Sequence, residues 1–364
     1  MWNMTIQKIA NMSEDSYIYV DVRSKIAYQH GHIANAVHWN GSDNIIFPKN
    51  KKIIVYCTYG KNSIPLVEKL KKRGYDVYNL SGGYREWLIH NSEELSNEEI
   101  NRYNRQIILE QIGIEGQLKL KNASVLIIGA GGLGSPVALY LAGAGVGTIG
   151  IMDADNVSIS NLQRQIIHNT ENIGLNKAES AKLALRKLND KITVKAYPYF
   201  LTAENAERII SEYDFIIDAT DNFETKFLIN DACVLLKKPF CHAGIMHFEG
   251  QVMTYVPEEY PCYRCIFEEI PESETIPNCS QAGIIGAVAG IVGSIQALEA
   301  IKYILGMGEL LTGKIFIIDG LSMKTRIAEF TVKNKKCKVC GENPLIKNIQ
   351  DNAEEYTVNV CKLQ

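Results

Sequence analysis

The chain has 364 residues, enough for two domains with separate cores, and its 46% hydrophobic and 22% charged content suits a globular protein. A net charge of −3 with a pI near 6.2 gives no broad basic field, so neither a nucleic acid nor a membrane is expected as partner. The residues up to Asp15 lack the apolar core of a secretory signal, and nine cysteines without one point to metal or sulfur chemistry in a reducing, cytoplasmic setting.

Residues 1–90 read as a small α/β unit. Tyr17–Val20 and Ile53–Tyr56 are apolar strand candidates that run into Asp21 and Cys57, with G-H-I-A-N-A-V-H (31–38) between them. Ile64–Lys72 has helical periodicity, with Leu66, Val67 and Leu70 as its inner stripe. A strand near Val77–Leu80, and Gly82-Gly83 ahead of Tyr84–Leu88, complete the unit. Cys57 opens a loop that runs to Ser63 between a strand and a helix. The loop's N–H groups, the helix N-terminus and Lys61 would favour thiolate over thiol, and an accessible thiolate can carry sulfur as a persulfide. On Cys57 alone, a buried structural cysteine is the alternative. A thiol phosphatase would need C-x5-R, and Ser63 stands in the arginine's place. The set D-V-R (21–23), G-H-I-x-x-A-x-H (31–38), the cysteine loop and L-S-G-G-Y-x-x-W (80–87) resembles a rhodanese domain.

Residues 91–98 are polar and acidic enough for a linker, although L-S-N-E-E already has the makings of a helix cap. Arg102 and Arg105 follow on a predicted helix, at a spacing that gives them one face. Two surface arginines would look the same.

The stretch 124–177 carries the strongest pattern. Ser124–Ile128 is an apolar run that ends in Gly129, Gly131 and Gly134 at G-x-G-x-x-G spacing, with Gly132 inside it. A helical stretch and a second apolar run, Thr148–Met152, then lead to Asp153, which is the context that a nucleotide-binding turn requires. By themselves the glycines and one acid would suit a dinucleotide. The polar loop that follows, with Asp155, Asn161, Arg164 and Gln165, and then Lys177, better suits a triphosphate, whose outer groups need cations and a metal. Downstream, D-F-I-I-D-A-T-D-N (214–222) is a buried strand feeding Asp221 and Asn222 towards the same sheet end. A carboxylate there suits Mg²⁺, and an N-cap is the other use of either residue.

Two C-x-x-C pairs, Cys262/Cys265 and Cys337/Cys340, together fill a tetrahedral Zn²⁺ shell with no open position, which makes the metal structural. Cys279 lies in P-N-C-S-Q-A-G, before a run of spaced glycines. The uncharged stretch Thr275–Leu298 is expected to be a buried, tightly packed helix, at a subunit interface, in place of a membrane span. Cys233 and Cys241 read as core residues, and 346–364 reads as a polar tail with Cys361 unexplained.

The motifs R-Y-N-R-Q (102–106), G-A-G-G-L-G (129–134), D-x-D-x-V-x-x-S-N-L-x-R-Q (153–165), Lys177 and T-D-N (220–222) resemble the ubiquitin-activating-like adenylyltransferases that activate bacterial sulfur carriers for molybdopterin and thiamine synthesis. The resemblance implies an α/β protein: an N-terminal rhodanese-like domain (1–90) plus a Rossmann-like adenylyltransferase domain (99–345) with a mixed sheet and a four-cysteine zinc site. It also implies ATP with Mg²⁺, a small ubiquitin-like sulfur carrier protein ending in Gly-Gly, a sulfur donor such as a cysteine desulfurase, and a homodimer. Arg105, Lys177 and Asp221 would serve the phosphates and Mg²⁺, Gly131 and Gly132 backbone access, and Asp153 the ribose. Arg164 would reach the neighbouring subunit's triphosphate, and Cys279 would attack the activated carrier or share in sulfur transfer. A nicotinamide-dependent oxidoreductase with structural zinc and a non-catalytic scaffold for a ubiquitin-like partner are the other classes open to this sequence.

Overall fold

The computed structural model describes residues 2–29, 31–39, 41, 46–91, 94–109, 111–258, 260–271 and 283–357. The chain divides into two compact units, Met1–Leu118 and Lys119–Gln364.

The first unit is built on five parallel strands: β1 (Asn3–Met4), β2 (Tyr17–Asp21), β3 (Val37–His38), β4 (Lys52–Tyr56) and β5 (Val77–Leu80), in the order β1-β5-β4-β2-β3. Parallel strands are covered on both faces, and β4 shows why its sequence is apolar throughout. Ile54 and Tyr56 enter one core with Met4, Ile9, Tyr19 and Leu80, while Ile53 and Val55 enter the other with Val20, Leu66, Val67 and Val77. The helices are α1 (Ile6–Ala10), α2 (Lys25–Gln29), α3 (Ile64–Lys72), α4 (Gly83–Asn91) and α5 (Asn97–Ile107), and the division between units falls inside α6 (Gly113–Asn122). The cap expected near residue 96 is a full capping box between Ser96 and Glu99.

That division comes later in the chain than the 91–98 linker expected from composition. The physical reason is apolar: Leu95, Ile100, Tyr103 and Ile107 form a small core with Leu88, Ile89, Ile114 and Leu118. Ser92 and Glu93 of the expected linker lie outside the described residues.

The second unit carries an eight-stranded mixed sheet. Its strands are β6 (Ser124–Ile128), β7 (Thr148–Met152), β8 (Thr193–Tyr197), β9 (Phe215–Asp218), β10 (Phe240–Met246), β11 (Glu249–Tyr255), β12 (Lys314–Asp319) and β13 (Lys324–Glu329), in the order β13-β12-β11-β10-β9-β6-β7-β8. The five from β8 to β10 are parallel, and the remainder continue antiparallel. Strand order reverses beside β6, between β7 and β9, and ligands of open parallel sheets gather outside such a reversal. The α-helices of its described residues are α7 (Gly134–Ala144), α8 (Lys177–Leu188), α9 (Ala206–Ser211), α10 (Phe223–Leu235), α11 (Tyr263–Ile266) and α12 (Gly286–Leu305).

Helix α12 is long and apolar enough to cross a membrane by length and composition, and half of its apolar window is buried in this fold. Residues 275–282 of the stretch expected to form it lie outside the described residues; the helix starts at Gly286 and runs on to Leu305, packing on α7, β10 and β11. A Cβ at Gly293 would stand 2.6 Å from Leu133 O, which is the close approach that its glycine spacing anticipates. Beyond residue 345 the chain is no loose tail: Ile346, Ile349 and Tyr356 are buried in the main core. Cys361 lies outside the described residues.

Gly83 shows how the first unit is locked. Its φ is +66°, and a Cβ there would stand 2.2 Å from Cys57 O. Gly83→Ala is therefore expected to destabilise this unit by roughly 2–4 kcal/mol. An unchanged thermal midpoint would contradict the packing.

Candidate functional site

The glycine turn after β6 combines two kinds of glycine. Gly129 has a φ of +101°, and a Cβ at Gly134 would stand 1.9 Å from Gly129 O, so the turn's own packing demands both. Among the described residues, a Cβ at Gly131 or Gly132 would meet nothing closer than 3.6 and 3.4 Å. Protein packing does not explain those two glycines; space for another molecule against the backbone does.

Asp153 holds the turn from the next strand. Its carboxylate accepts from Ala130 N and Asp155 N, both at 2.9 Å. Burial raises its pKa, against the charge of Lys177 and those two N–H groups, and the balance stays above the ordinary carboxylate value. His168, which the motif reading overlooked, braces the turn from the other side. Its Nε2 must donate to Ala130 O at 2.9 Å, and its Nδ1 then accepts from Ser180 Oγ at 2.8 Å. Burial lowers its pKa, so the ring is neutral.

Lys177 is buried at the first position of α8, where the helix dipole disfavours a cation. It pairs with exposed Asp155 at 2.7 Å. Asn176 caps α8 and donates to Asp153 O and Asp155 O at 2.9 and 3.1 Å. Asn161 likewise serves the backbone: its Oδ1 accepts from Ser158 N at 3.1 Å. The Arg164 guanidinium donates to Ser160 O at 3.2 Å, and its stem lies 3.5 Å from where a Gly132 Cβ would stand. Arg164 thus lies beside the turn of its own chain. Gln165 is buried near Gly131, and its Oε1 has no hydrogen-bond partner among the described residues.

Asp221 is exposed at the end of β9, and Asn222 caps α10 by accepting from Thr225 N at 2.9 Å. Behind them, a buried network fixes the turn. Asp218 accepts from Thr220 N and Oγ1 at 3.0 and 2.6 Å, from Lys226 Nζ at 3.2 Å and from His242 Nδ1 at 2.7 Å. No motif announced Asp218, Lys226 or His242, because their pairing runs between β9, α10 and β10.

In the first unit, Cys57 follows β4 and is almost fully buried. Its Sγ accepts from Asn62 N at 3.2 Å and lies 3.4 Å from Ser63 Oγ. Burial pushes the thiol's pKa up. The Ser63 hydroxyl and the N–H groups of Tyr59, Ser63 and Asn62 outweigh it, and the value ends below that of an ordinary thiol. Tyr84 N and Arg85 N donate to Cys57 O and Thr58 O at 2.8 and 3.1 Å, which joins the L-S-G-G segment to the cysteine loop. Arg23 pairs with Asp21 at 2.7 Å and stacks 3.9 Å over Tyr84. Arg102 and Arg105 are exposed on α5.

Cys262, Cys265, Cys337 and Cys340 bring their sulfurs within 4.8 Å of one another, the one such group among the described residues. Four of the six sulfur–sulfur separations run from 3.3 to 3.9 Å. Four thiolates around one ion at Zn–S distance stand about 3.8 Å apart, so the site fits a tetrahedral metal. Arg264, between the first two cysteines, is buried and holds Asp231 at 2.7 Å and Glu355 at 2.9 Å. Tyr356 Oη donates to Asp231 at 2.8 Å. Cys233 and Cys241 are core residues, and Cys279 lies outside the described residues.

Comparison with known proteins gives two domain matches: the ThiF family over residues 103–339 and the rhodanese-like domain over 5–90. The adenylyltransferase and sulfurtransferase MOCS3 of Culex quinquefasciatus is 48% identical over 258 residues, 71% of this chain and 59% of that protein. Its counterpart in Aedes aegypti is 47% identical over the same shares. This chain therefore spans about three fifths of the length of the relatives it matches. Among solved structures, E. coli MccB with ATP aligns with a TM-score of 0.57 at 27% identity, covering 66% of this chain and 74% of that one. PaaA aligns with a TM-score of 0.58 at 26% identity, covering 75% and 83%.

The two glycine classes separate experimentally. Gly134→Ala is expected to cost about 2–4 kcal/mol of stability, and Gly131→Ala less than about 1 kcal/mol. Only the second should yield a folded protein that has lost its ligand, read by thermal shift with and without nucleotide.

Proposed function

The chain belongs to the ThiF family, and from that premise we propose that it uses ATP to adenylylate the C-terminal carboxylate of a small ubiquitin-like sulfur carrier ending in Gly-Gly. Cys57 then supplies the sulfur. One observation carries the nucleotide half: Gly131 and Gly132 leave backbone open at the sheet's reversal point, beside Asp153, Lys177 and Arg164. The names borne by the matched relatives support the same reading.

In this reading the carrier's carboxylate oxygen attacks the α-phosphorus of ATP, and the bond to the β-phosphate breaks to release pyrophosphate. The protein's task is to position two anions and neutralise charge. Asp153 holds the ribose, and Gly131 and Gly132 admit the phosphates. Arg105 and Lys177 neutralise them, with Lys177 leaving Asp155 to do so, and Arg164 reaches the triphosphate of the neighbouring subunit in the proposed homodimer. Asp221 would hold Mg²⁺, which supplies further charge neutralisation. The terminal sulfur of a Cys57 persulfide attacks the acyl carbon and expels AMP, leaving an acyl disulfide. A second thiolate then attacks the Cys57 sulfur, the S–S bond breaks, and the carrier leaves as a thiocarboxylate while Cys57 and that thiol are left as a disulfide. Cys279 is assigned an attack on the activated carrier or a share in sulfur transfer.

The four cysteines would hold a structural Zn²⁺. A cysteine desulfurase is the proposed donor, a homodimer the proposed assembly and a reducing cytoplasm the proposed setting.

The test is ATP–pyrophosphate exchange against carriers ending in Gly-Gly, followed by mass analysis for gain of one sulfur. Asp221→Ala should reduce exchange about a hundredfold. Cys57→Ala should leave exchange intact and abolish the sulfur gain. Exchange that no carrier elicits would overturn the reading. Metal analysis should find one zinc per chain, lost in Cys337→Ser together with several kcal/mol of stability.

A further inference from the structure

Cys57 has a hydroxyl donor within reach whose proton is already claimed. Ser63 Oγ lies 3.4 Å from Cys57 Sγ and 2.6 Å from Asn79 Oδ1. Asn79 cannot turn its amide round, because Nδ2 donates to Gly60 O and Asn3 Oδ1, both at 2.9 Å. Ser63 and Asn79 are both buried, so water cannot supply a substitute donor to either. A serine hydroxyl has one proton to give. The much shorter contact puts it on Asn79, and the sulfur then faces an oxygen lone pair, which suits a thiol and opposes a thiolate.

We propose that Asn79 is a positioning residue that competes with Cys57 for the Ser63 proton and so restrains the ionisation of the sulfur. When Cys57 ionises, its proton leaves to solvent and the Ser63 O–H rotates from Asn79 to Sγ. One hydrogen bond replaces another, and no covalent bond other than S–H changes. The N–H of Asn62 donates to the sulfur throughout. The charged groups carried by the surrounding elements are Lys61 on the loop, Asp21 at the end of β2 with its partner Arg23, Lys52 at the far end of β4, Glu68, Lys69, Lys71 and Lys72 on α3, and Arg85, Glu86 and His90 on α4. None of these is altered by the exchange.

The proposal rests on the reading of Cys57 as the sulfur-bearing thiolate, and its test does not pass through sulfur transfer. The full-length protein is pulsed with iodoacetamide across a pH series, and the rate at the Cys57 peptide is read by mass spectrometry. Ser63→Ala removes the donor and should slow alkylation about tenfold below the thiol's pKa, as a pKa raised by about one unit requires. Asn79→Leu frees the donor and should accelerate it about threefold, an effect that disappears in the Ser63→Ala background. A slower or unchanged rate in Asn79→Leu, or the same change in both backgrounds, would show Asn79 to be merely structural and overturn the proposal. If Asn79→Leu does not fold, Asn79→Asp keeps an oxygen at that place with a stronger hold on the proton. It should slow alkylation more in the native background than in Ser63→Ala, and equal slowing overturns the proposal. Carrier sulfuration can survive either failure, so the two readings fall separately.

Discussion

A single buried carboxylate, Asp218, ties the second unit together. It stands at the end of β9 and accepts from α10 through Lys226, from β10 through His242 and from the following turn through Thr220. Gln296 of α12 donates to Asp218 O and Cys241 O at 2.8 and 3.0 Å, which brings the long helix to the same point. Burial opposes the charge on Asp218, but Lys226 and His242 reverse that and hold its carboxyl well below the ordinary range. Burial keeps His242 neutral, so the network is one anion against one cation. Stripping a partner from such a cluster exposes a bare charge to the core and costs several kcal/mol. The turn bearing Asp221 and Asn222 inherits its rigidity from this cluster.

The two units set ionisation by different means. Cys57 is drawn towards thiolate by neutral donors, three backbone N–H groups and a hydroxyl, within a shell that water barely reaches. Fixed dipoles of this kind are little screened by salt. Asp153 and Lys177 are governed by formal charges, with exposed Asp155 as the movable partner. The first arrangement holds one atom ready. The second leaves a cation that an arriving anion can draw away.

Much of this was legible in residue order, for physical reasons that differ by element. β4 and β6 are buried on both faces and so read as unbroken apolar runs. The glycine spacing reports a steric demand, and paired cysteines report their own chemistry. What stayed hidden depends on pairing across the fold. His168 with Ala130 and Ser180, Asp218 with His242, and Ser63 with Asn79 are common residues whose partners lie a dozen or more positions away. The docked carboxyl end was missed because Ile346, Ile349 and Tyr356 are sparse apolar residues in a polar stretch.

That docking changes where the second unit can be trimmed. Similarity to the ThiF family stops at residue 339, and a truncation there would look harmless from sequence. It would delete Cys340, and with it Glu355 and Tyr356, which clasp Arg264 and Asp231 beneath the sulfur knuckle. The turn Gln350–Tyr356 thus acts as a latch on the four-cysteine corner, and a fragment that keeps this clasp must reach at least to Tyr356.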